Sequence, residues 1–554
     1  MEKIGADIIV QILNEHGVDT IFGYPGANSL PLHDRLKDSS IKFYLTRHEQ
    51  AAAHAADGFA RATGRVGVCL STSGPGATNM VTGIATAFMD STPMVALTGQ
   101  VSTNLLGRDA FQETDIIGVT IPITKHSYQV KNVDDLAETL REAFYLAHSD
   151  RPGPVLVDLP RDILAAKCRP TASKANHSPQ PPAINNREDL KKIARALNMS
   201  ERPVIIFGGG VKLSNASPEM GELVEKTQIP FATTMMGVGS INITNGLGLG
   251  FIGTHGYELA NRTVHQSDFI LAIGVRFTDR STSIIEEFAP LATVAQIDID
   301  PTSIGKNVKV DIPFIGDVRE SLRGLLPMVE RKERPEWMKR IRDARESIDK
   351  ELPDKGCGAA GYFIQKVQES MPKGTIAVTD VGLNQIWTMR NWHPQTPRCL
   401  LTSGGMGTMG FSLPAAMGAK IGAPDRSVVT FSGDGGFYMN MQELSTIRHY
   451  RLPVKMIVFN NGHLGMIRQL QSLFYNERFA NIELGEDVDF VAIAKGFGLP
   501  AGRVHVDGRF EEGIEKMCRT EGPYFLEAVV DPDNYVFPII PPGRSNVEMI
   551  FGQD

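Results

Sequence analysis

The chain has 554 residues, of which 21% are charged and 42% hydrophobic, values typical of folded globular proteins that argue against extensive disorder. Its net charge of −7, from 56 basic and 63 acidic residues, argues against nucleic acid as a partner. No stretch has the ~18 apolar residues that a membrane helix needs, and the N-terminus lacks a signal-peptide pattern. The five cysteines are scattered without a CxxC pair, which favours reduced thiols. We therefore expect a cytoplasmic protein without a membrane span.

Apolar runs alternate with longer amphipathic stretches along the chain. This pattern predicts an α/β fold in which mainly parallel sheets are flanked by helices. Several of the runs end in Gly, Asn or Asp, as strands do at the ligand-binding edge of such sheets. The predicted strands are 66–70, 94–97, 155–158, 204–207, 269–273, 295–299, 375–378, 428–431 and 455–459.

Two segments interrupt this alternation. Residues 167–186 contain four prolines among Ser, Asn and Ala, which predicts an extended linker. Residues 330–358 are rich in Lys, Arg and Glu, which predicts a charged helix and a connector. The segments on either side are each large enough for a hydrophobic core of their own. We therefore predict three domains, 1–180, 181–345 and 346–554.

The most specific motif follows the predicted strand 428–431. The sequence Gly433-Asp434-Gly435-Gly436 comes directly after it, and Asn461 follows the next strand. Magnesium takes few protein oxygens together with phosphate oxygens, which suits a carboxylate and an amide at two strand ends. The glycines let backbone amides approach a diphosphate. Two ordinary tight turns are the alternative, but the adjacent Asn460 and Asn461 at this distance from Asp434 argue against it.

A second candidate is a carboxylate near the N-terminus. Glu49 lies at the start of a predicted helix, 51–62, that consists mostly of small residues. Alanines permit close packing, so Glu49 can be brought against a ligand. Read in isolation, Glu49 is an acid that the helix dipole favours at this position.

These motifs together resemble those of a known family. The GDG…NN arrangement resembles the thiamine diphosphate-binding motif, and the surrounding sequence resembles the acetohydroxyacid (acetolactate) synthase catalytic subunit. The resemblance runs from about Gly5 to Met549. It implies an N-terminal pyrimidine-binding domain, a Rossmann-like central FAD-binding-like domain and a C-terminal diphosphate-binding domain. The segments that carry it, besides the two motifs, are 22–26, 73–79, 110–113, 122–126, 151–158 and 403–411.

The resemblance implies a role for individual residues. Glu49 would be the acid that activates the cofactor, and Phe111 and Gln112 would line the substrate pocket from the neighbouring subunit. Met409 would bend the cofactor, and the Gly407 carbonyl would accept a hydrogen bond from its aminopyrimidine ring. Magnesium would be held by Asp434, Asn461 and the backbone carbonyl of His463. The residues expected to bind a cofactor are Pro25, Gly26, Asn79, Arg151, Gly208, Gly209, Gly210, Thr233, His255, Gly274, Arg276, Asp298, Asp317, Gly382, Asn384, Met406, Gly407, Met409, Gly433, Asp434, Gly435, Gly436, Asn461, His463, Leu464, Gly465 and Met466.

The middle segment carries a weaker signal for a second cofactor. A strand at 204–207 runs into Gly208–Gly210, a dinucleotide-type turn that is not a full GxGxxG. Asp298 lies at a later strand end, where an acid can hold a ribose hydroxyl. By resemblance these positions bind FAD, with Arg276 facing both the flavin and the carboxylate of the second substrate. Thr278 stands where the family usually has the first of two aspartates.

Two further departures concern the C-terminal segment. Asn384 stands where the family usually has histidine, and asparagine can still donate a hydrogen bond. Leu470 stands where members that favour 2-oxobutyrate carry tryptophan. Since one methylene is worth only ~1–3 kcal/mol in a pocket, we predict little preference for 2-oxobutyrate over pyruvate.

The implied reaction is decarboxylation of pyruvate and ligation of a hydroxyethyl carbanion to a second 2-oxo acid, in branched-chain amino acid biosynthesis. The family implies a homodimer or homotetramer with active sites between subunits, and allows a small regulatory subunit. Three alternatives stay open. They are another thiamine diphosphate-dependent carboligase or 2-oxo acid decarboxylase, a non-catalytic binding protein of the same fold, and an NAD-dependent dehydrogenase, which would leave Asp434 and Asn461 without a task.

Overall fold

The computed structural model describes residues 3–168, 187–241, 246–351, 358–485 and 488–552. It contains three six-stranded sheets, each parallel throughout and flanked by helices. This confirms the predicted α/β fold with three sheet-centred domains. A search of these ranges finds no helix whose length and apolar character would allow it to cross a bilayer. The cysteines within them, Cys69, Cys168, Cys399 and Cys518, are free thiols, and Cys357 lies outside them.

The N-terminal sheet has the strand order β3-β2-β4-β5-β7-β6, and β1 pairs antiparallel with β8 beside it. Every residue of β4, β5 and β7 is buried, as expected for a parallel sheet covered by helices on both faces. The strands are β1 Lys3–Ile4, β2 Thr20–Gly23, β3 Lys42–Leu45, β4 Gly67–Ser71, β5 Met94–Gln100, β6 His126–Gln129, β7 Pro154–Pro160 and β8 Lys167–Cys168. The helices are α1 Gly5–Glu15, α2 Leu30–Lys37, α3 Glu49–Thr63, α4 Pro75–Asn79, α5 Val81–Met89, α6 Ile116–Thr120, α7 Leu136–His148 and α8 Arg161–Ala165.

The central sheet has the order β11-β10-β9-β12-β13-β14. Its middle strands β9 and β12 are buried along their whole length and pair in register from Pro203 to Phe207. The strands are β9 Pro203–Phe207, β10 Phe231–Thr233, β11 Gly248–Phe251, β12 Phe269–Ile273, β13 Thr293–Asp298 and β14 Ile312–Ile315. The helices are α9 Arg187–Met199, α10 Gly210–Leu213, α11 Ser217–Thr227, α12 Glu258–Gln266, α13 Asp279–Thr282 and α14 Val318–Leu325.

A long charged helix, α15 Pro335–Glu351, follows the central sheet. It confirms the helix predicted for 330–358, and its Trp337 and Ile341 side chains pack into the core of the central domain. The predicted boundary between 345 and 346 falls within this helix. The boundary between 180 and 181, and most of the predicted linker 167–186, lie outside the described residues. Both boundaries stay predictions.

The C-terminal sheet has the order β16-β15-β17-β18-β20-β19. All nine strands predicted from the sequence are present in the three sheets, with ends that differ by at most three residues, and 269–273 matches at both ends. The strands here are β15 Ile376–Thr379, β16 Leu400–Leu401, β17 Val428–Gly433, β18 Val454–Asn460, β19 Ala501–His505 and β20 Tyr524–Val529. The helices are α16 Gly358–Ser370, α17 Leu383–Asn391, α18 Ser412–Gly422, α19 Asp434–Asn440, α20 Leu444–Tyr450, α21 Gly465–Phe474, α22 Phe490–Gly496 and α23 Glu511–Arg519.

The N- and C-terminal domains meet through the helices α3 and α18. A Cβ atom added at Gly58 of α3 would lie 2.0 Å from the Ala415 carbonyl oxygen, and one added at Gly418 of α18 would lie 1.8 Å from the Ala55 carbonyl oxygen. The two helix backbones therefore approach so closely that only glycine fits at these two positions. This explains why the segment 51–62 is rich in alanine and has glycine at position 58.

We predict that Gly418→Ala lowers the Tm, because its methyl group overlaps the backbone of α3 and forces the helices apart, at a cost of about 1–3 kcal/mol. The matched control is Gly221→Ala in α11, where no atom lies within 4 Å of the added Cβ. There, alanine stabilises the helix by up to ~1 kcal/mol, so the Tm stays the same or rises. Differential scanning fluorimetry measures both. Equal Tm values for the two variants would contradict the close contact.

Candidate active site

Glu49 begins helix α3, which follows the carboxyl end of strand β3. The helix starts here because the His48 side chain caps it, accepting a hydrogen bond from the Gln50 amide. The Glu49 side chain is half-buried, and its Oε2 accepts a hydrogen bond from Asn79 Nδ2 at 2.9 Å. A Cβ at Gly76 would lie 3.3 Å from Oε1, so the small residue lets this oxygen approach the first turn of α4. The structure thus brings Glu49 and Asn79 together.

The other predicted N-terminal residues surround this pair. The Pro25–Gly26 turn follows β2 and packs on Thr72, whose side chain lies 2.4 Å from a Cβ built at Gly26. Gln112 packs on Gly74, with its carbonyl oxygen 2.8 Å from a Cβ built there. Gln112 has a φ of 60°, a strained value for a residue with a side chain. Its neighbour Phe111 is 87% exposed, so this large ring points away from the chain that carries it.

In the C-terminal domain, Asp434 joins the ends of β17 and β18. Its Oδ1 accepts from the Gly435 amide at 2.8 Å, and its Oδ2 accepts from the amides of Asn461 and Gly462 at 3.1 and 2.8 Å. Burial raises the pKa of Asp434 to about 6. The Asn461 Oδ1 accepts from the His463 amide at 3.1 Å. The predicted metal ligands therefore lie together, as the GDG…NN spacing indicates.

The glycines that flank Asp434 and the glycine after the following turn have different roles. A Cβ at Gly435 would lie 2.8 Å from Leu464 Cδ2 and 3.3 Å from Met409 Cε, so this position joins three predicted cofactor residues. A Cβ at Gly436 would lie 2.1 Å from Asp380 Oδ1. Gly436 is thus needed because a side chain there would overlap the buried Asp380 carboxylate. The sequence predicted only that this glycine lets a diphosphate approach. Gly465 begins α21 beside Asn461, and Met466 follows it.

Asn384 lies in the first turn of α17, beside Gly433 and Gly382. Its Nδ2 donates to the Val381 carbonyl at 3.1 Å, whereas its buried Oδ1 has no hydrogen-bond partner among the described residues. Gly382 has φ 117° and ψ −151°, a conformation open only to glycine. An orphaned buried polar atom beside glycine-lined strand ends fits a site that receives a polar ligand.

The predicted loop 403–411 follows strand β16. Gly407 has φ +66° and is exposed together with Met406, whereas Met409 is half-buried against Gly435. The end of the loop is fixed by Asp380, whose buried carboxylate accepts from the amides of Gly410 and Ser412. The loop therefore presents Met406 and Gly407 while its C-terminal end is held.

In the central domain, Gly208–Gly210 and Gly274 lie at the carboxyl ends of β9 and β12. A Cβ at Gly210 would lie 2.7 Å from the Gly274 Cα, so the two turns touch backbone to backbone. Asp317 caps α14 by accepting from the Glu320 amide, and it also accepts from Ser214 Oγ at 2.6 Å. His255 has a buried Nδ1 without a partner among the described residues, and burial lowers the pKa of His255 to about 4.

A cavity of about 1180 Å³ connects the central and C-terminal domains. This volume exceeds that of most small-ligand pockets and suits more than one ligand or a dinucleotide. Arg151, which forms an ion pair with Asp300 at 3.2 Å, lies at the wall contributed by the N-terminal domain. The predicted cofactor residues that line it are Arg151, Gly209, Gly210, His255, Gly274, Arg276, Asp298, Asp317, Gly382, Met406, Gly407 and Met466. Thr278 and Leu470 line it too.

Other predicted residues lie outside the cavity wall. They include Gly208, Thr233, Asn384, Met409, the residues around Asp434 and Asn461, and the N-terminal group around Glu49. Among the described residues, the hydrogen-bond partner of the Glu49 carboxylate is Asn79, a residue of its own domain. The chain thus presents two separate groups, one around Glu49 and one around Asp434.

The residues fit a magnesium diphosphate rather than a bare metal ion. In the described ranges, no cluster of three His, Cys, Asp or Glu side chains is able to hold a metal. One carboxylate, one amide oxygen and one backbone carbonyl leave an octahedral magnesium ion short of ligands unless phosphate oxygens complete it. The glycine-lined strand ends lie where such a diphosphate would be received.

Comparisons with known proteins agree with this geometry. Three thiamine pyrophosphate enzyme family models match the chain: the N-terminal TPP binding domain at 3–119, the central domain at 190–325 and the C-terminal TPP binding domain at 380–528. A probable acetolactate synthase large subunit of Methanocaldococcus jannaschii is 46% identical over 97% of this chain and 94% of its own length. The acetolactate synthase isozyme 2 large subunit of Escherichia coli is 38% identical over 99% of both chains.

The chain belongs to the acetolactate synthase family of thiamine pyrophosphate enzymes. The resemblance stated from the sequence is thereby confirmed, and with it the thiamine diphosphate-dependent class of the fold. A chloroplastic acetolactate synthase of Arabidopsis thaliana is 41% identical over 99% of this chain and 84% of its own length. The roles of individual residues stay predictions.

Sequence reasoning missed two acidic residues near the site of this family member. Asp380 fixes the end of the loop 403–411, and Glu443 is fully buried between the N- and C-terminal domains. Glu443 accepts from the Arg47 amide at 2.8 Å and from Thr446 Oγ1 at 2.6 Å, so it holds the segment that leads into Glu49. Asp380 follows a predicted strand and precedes a helix, and an acid at such a turn is a signal that could have identified it. No local sequence pattern indicates a role for Glu443.

Burial raises the pKa of Glu443 from 4.5 to about 7, although Thr446 and Arg47 oppose the increase. Between pH 4.5 and about 7, folding is therefore accompanied by uptake of a proton. The contribution of Glu443 to the free energy of unfolding falls as the pH rises through this range. We predict that Glu443→Gln becomes more stable relative to the parent as the pH rises from 5 to 8, because glutamine stays neutral. Tm measurements across this range test the prediction. The exposed Glu188→Gln serves as control, and a pH-independent difference for Glu443→Gln would contradict it.

Proposed function

We propose that this chain is the catalytic subunit of an acetolactate synthase, which decarboxylates pyruvate and joins the remaining two-carbon unit to a second 2-oxo acid. The observation that carries the proposal is the meeting of Asp434 with the Asn461–Gly462 turn at the carboxyl edge of the C-terminal sheet. Relatives named acetolactate synthase, matched over nearly their full length, support the same reaction. Its product belongs to branched-chain amino acid biosynthesis.

The cofactor in this proposal is thiamine diphosphate with Mg²⁺. Asp434, Asn461 and the His463 carbonyl would hold the ion, and the amides around Gly382 and Gly433 would receive the diphosphate. When bound, thiamine diphosphate supplies the electron sink that makes loss of CO₂ from a 2-oxo acid possible. The exposed Gly407 carbonyl would accept a hydrogen bond from the ligand, and the Met409 side chain, which lies over Gly435, would support it.

Glu49 is the proposed acid of the reaction. Asn79 orients its carboxylate through Oε2, which leaves Oε1, beside Gly76, to hold and move a proton. Because Glu49 and Asp434 form separate groups within one chain, we propose that each active site combines Glu49 of one chain with Asp434 of another. The exposed Phe111 ring, with Gln112, supports this arrangement, since a large exposed aromatic side chain is typical of an interface. A homodimer is the smallest such assembly, and a homotetramer contains two.

We also propose FAD as a second cofactor, held by the glycine turns at Gly208–Gly210 and Gly274 with Asp298 and Asp317 nearby. The size of the cavity and the touching backbones of the two turns support it. Arg276 lines the same cavity and is positioned to pair with the carboxylate of the second 2-oxo acid.

The term large subunit in the names of relatives supports a small regulatory partner. A cytoplasmic location stays a prediction.

Product analysis tests the function. With thiamine diphosphate and Mg²⁺, the purified protein is expected to consume pyruvate, release CO₂ and form acetolactate, and Glu49→Gln to lower turnover about 10²–10⁴-fold, the range for losing a catalytic acid. Glutamine can still accept from Asn79, so the Tm should change little. The exposed Glu188→Gln is the control. The visible spectrum of the same preparation reports bound flavin.

Three results would contradict these proposals. Acetaldehyde as the main product would indicate a simple decarboxylase, and absence of CO₂ release with cofactor present would indicate a binding protein. Unchanged turnover in Glu49→Gln would remove Glu49 from the reaction while leaving the function of the chain intact.

Leu470 lies on α21 in the cavity wall, one turn after Met466. We predict that the parent enzyme shows little preference for 2-oxobutyrate and that Leu470→Trp increases the preference. A flat indole contacts the extra methyl group of 2-oxobutyrate, and one methylene is worth about 1–3 kcal/mol, or roughly 10-fold or more in selectivity. Competition between the two 2-oxo acids, followed by product ratios, measures it. Ile467→Trp is the control, because Ile467 lies on the exposed face of the same helix. An equal ratio in parent and Leu470→Trp would contradict the role of this position.

A further inference from the structure

The loop between β16 and α18 is anchored at its start by the N-terminal domain of the same chain. Asp90 follows helix α5 and is buried. Its Oδ2 accepts a hydrogen bond from the Gly404 amide at 3.0 Å, and its Oδ1 accepts one from the Gly405 amide at 2.7 Å. Two consecutive amides of the loop are thus held by one carboxylate that lies more than 300 residues earlier in the chain.

The same carboxylate belongs to a buried ionic cluster. The Arg61 guanidinium donates to Asp90 Oδ2 at 2.9 Å and also forms an ion pair with Asp57, one turn earlier in α3. Its third contact is the Thr402 carbonyl at 2.7 Å, at the residue where the loop leaves strand β16. Asp57 and Asp90 raise the pKa of Arg61 above its ordinary value, although burial opposes this. The guanidinium therefore stays charged and orients Asp90 toward the loop.

Besides the contacts of Asp90 and Arg61, the N-terminal domain also contacts the loop at Thr408. Thr86 and Thr408 share a buried hydrogen bond between their hydroxyl groups at 2.7 Å, and the Thr408 amide donates to Ser403 Oγ at 3.0 Å. A Cβ at Gly405 would lie 2.9 Å from Asp90 Oδ1 and 3.0 Å from Met89 Cβ, so the loop backbone lies directly on the end of α5. Between these contacts, Met406 and Gly407 are exposed in the cavity.

We propose that Asp90 is a positioning residue that fixes the Gly404–Gly405 turn and thereby the place of the Gly407 carbonyl and the Met409 side chain in the cofactor site. The inference rests on the proposed function, because it assumes that this loop contacts thiamine diphosphate. Asp90 lines the same cavity, but both of its carboxylate oxygens are taken up by the loop amides and Arg61. It acts through two amides whose displacement would move Gly407, since only one residue separates Gly407 from the anchored turn.

The test uses two readouts that need no pyruvate. The first is the Kd for thiamine diphosphate with Mg²⁺, from titration calorimetry. The second is the rate at which the cofactor's thiazolium C2 proton exchanges with D₂O, from proton NMR after acid quench. Asp90→Asn replaces one acceptor oxygen by an NH₂ group, so one loop amide loses its partner. We expect C2 exchange to slow at least about tenfold, because small misplacements of catalytic groups have large effects on rate, and the Kd to rise.

Two further variants separate the loop contact from general loss of stability. Gly405→Ala pushes the turn from Asp90 while keeping the ionic cluster, and it should slow C2 exchange in the same direction. Asp57→Asn removes the other carboxylate from Arg61 and keeps both loop amides bonded, so it should lower the Tm and leave C2 exchange within about twofold of the parent. If Asp90→Asn does not fold, Gly405→Ala decides.

The outcomes are distinguishable from failure of the proposed function. A parent protein that binds no thiamine diphosphate overturns both the proposed function and the positioning role of Asp90. A parent that binds it and exchanges the C2 proton, with Asp90→Asn and Gly405→Ala at the parental rate, overturns the positioning role alone. Equal slowing in Asp57→Asn and Asp90→Asn also overturns it, because the ion pair and not the loop contact would then set the rate.

Discussion

The close contact between α3 and α18 determines how the two halves of the candidate site are arranged. Helix α3 begins at Glu49, and α18 begins directly after the loop that carries Gly407 and Met409. Because the two backbones touch at Gly58 and Gly418, a shift of one helix displaces the other helix as well. The groups at both N-termini then move together. In the proposed dimer, a two-fold axis would then pair each Glu49 with the other chain's loop in two equivalent sites.

Buried charges reinforce this contact on both sides. Arg61 and Asp90 connect the N-terminal domain to the start of the loop 403–411, and Glu443 connects the C-terminal domain to the segment before Glu49. Buried ionic groups contribute little net stability, but removing one partner is costly because an uncompensated charge is left behind. Their effect here is specificity, since each charge has its partners in one relative placement of the two domains.

The sequence predicts those features that local patterns encode. The strands and the small-residue helix α3 follow from apolar periodicity and composition, and the meeting of Asp434 with Asn461 follows because parallel strand ends share one edge of a sheet. Asp90 and Glu443 were not predicted, because their partners Gly404 and Arg47 lie about 300 to 400 residues away and no pattern around them indicates a contact. The same limit applies to the proposed meeting of Glu49 with a cofactor, which would depend on a second chain.

Helix α21 shows how one element separates two properties of the site. It begins at Gly465, directly after the turn that contains Asn461 and His463, and Met466 and Leu470 follow on the face toward the cavity. Residues four apart lie above one another on a helix, so these two side chains form a continuous part of the wall. The Asn461–Gly462 turn is held by its backbone amides, which donate to the Asp434 carboxylate, and does not involve Leu470. A change at Leu470 therefore alters the shape of the cavity wall while the residues proposed to hold magnesium keep their positions, which would allow the proposed substrate preference to vary without a change at those residues.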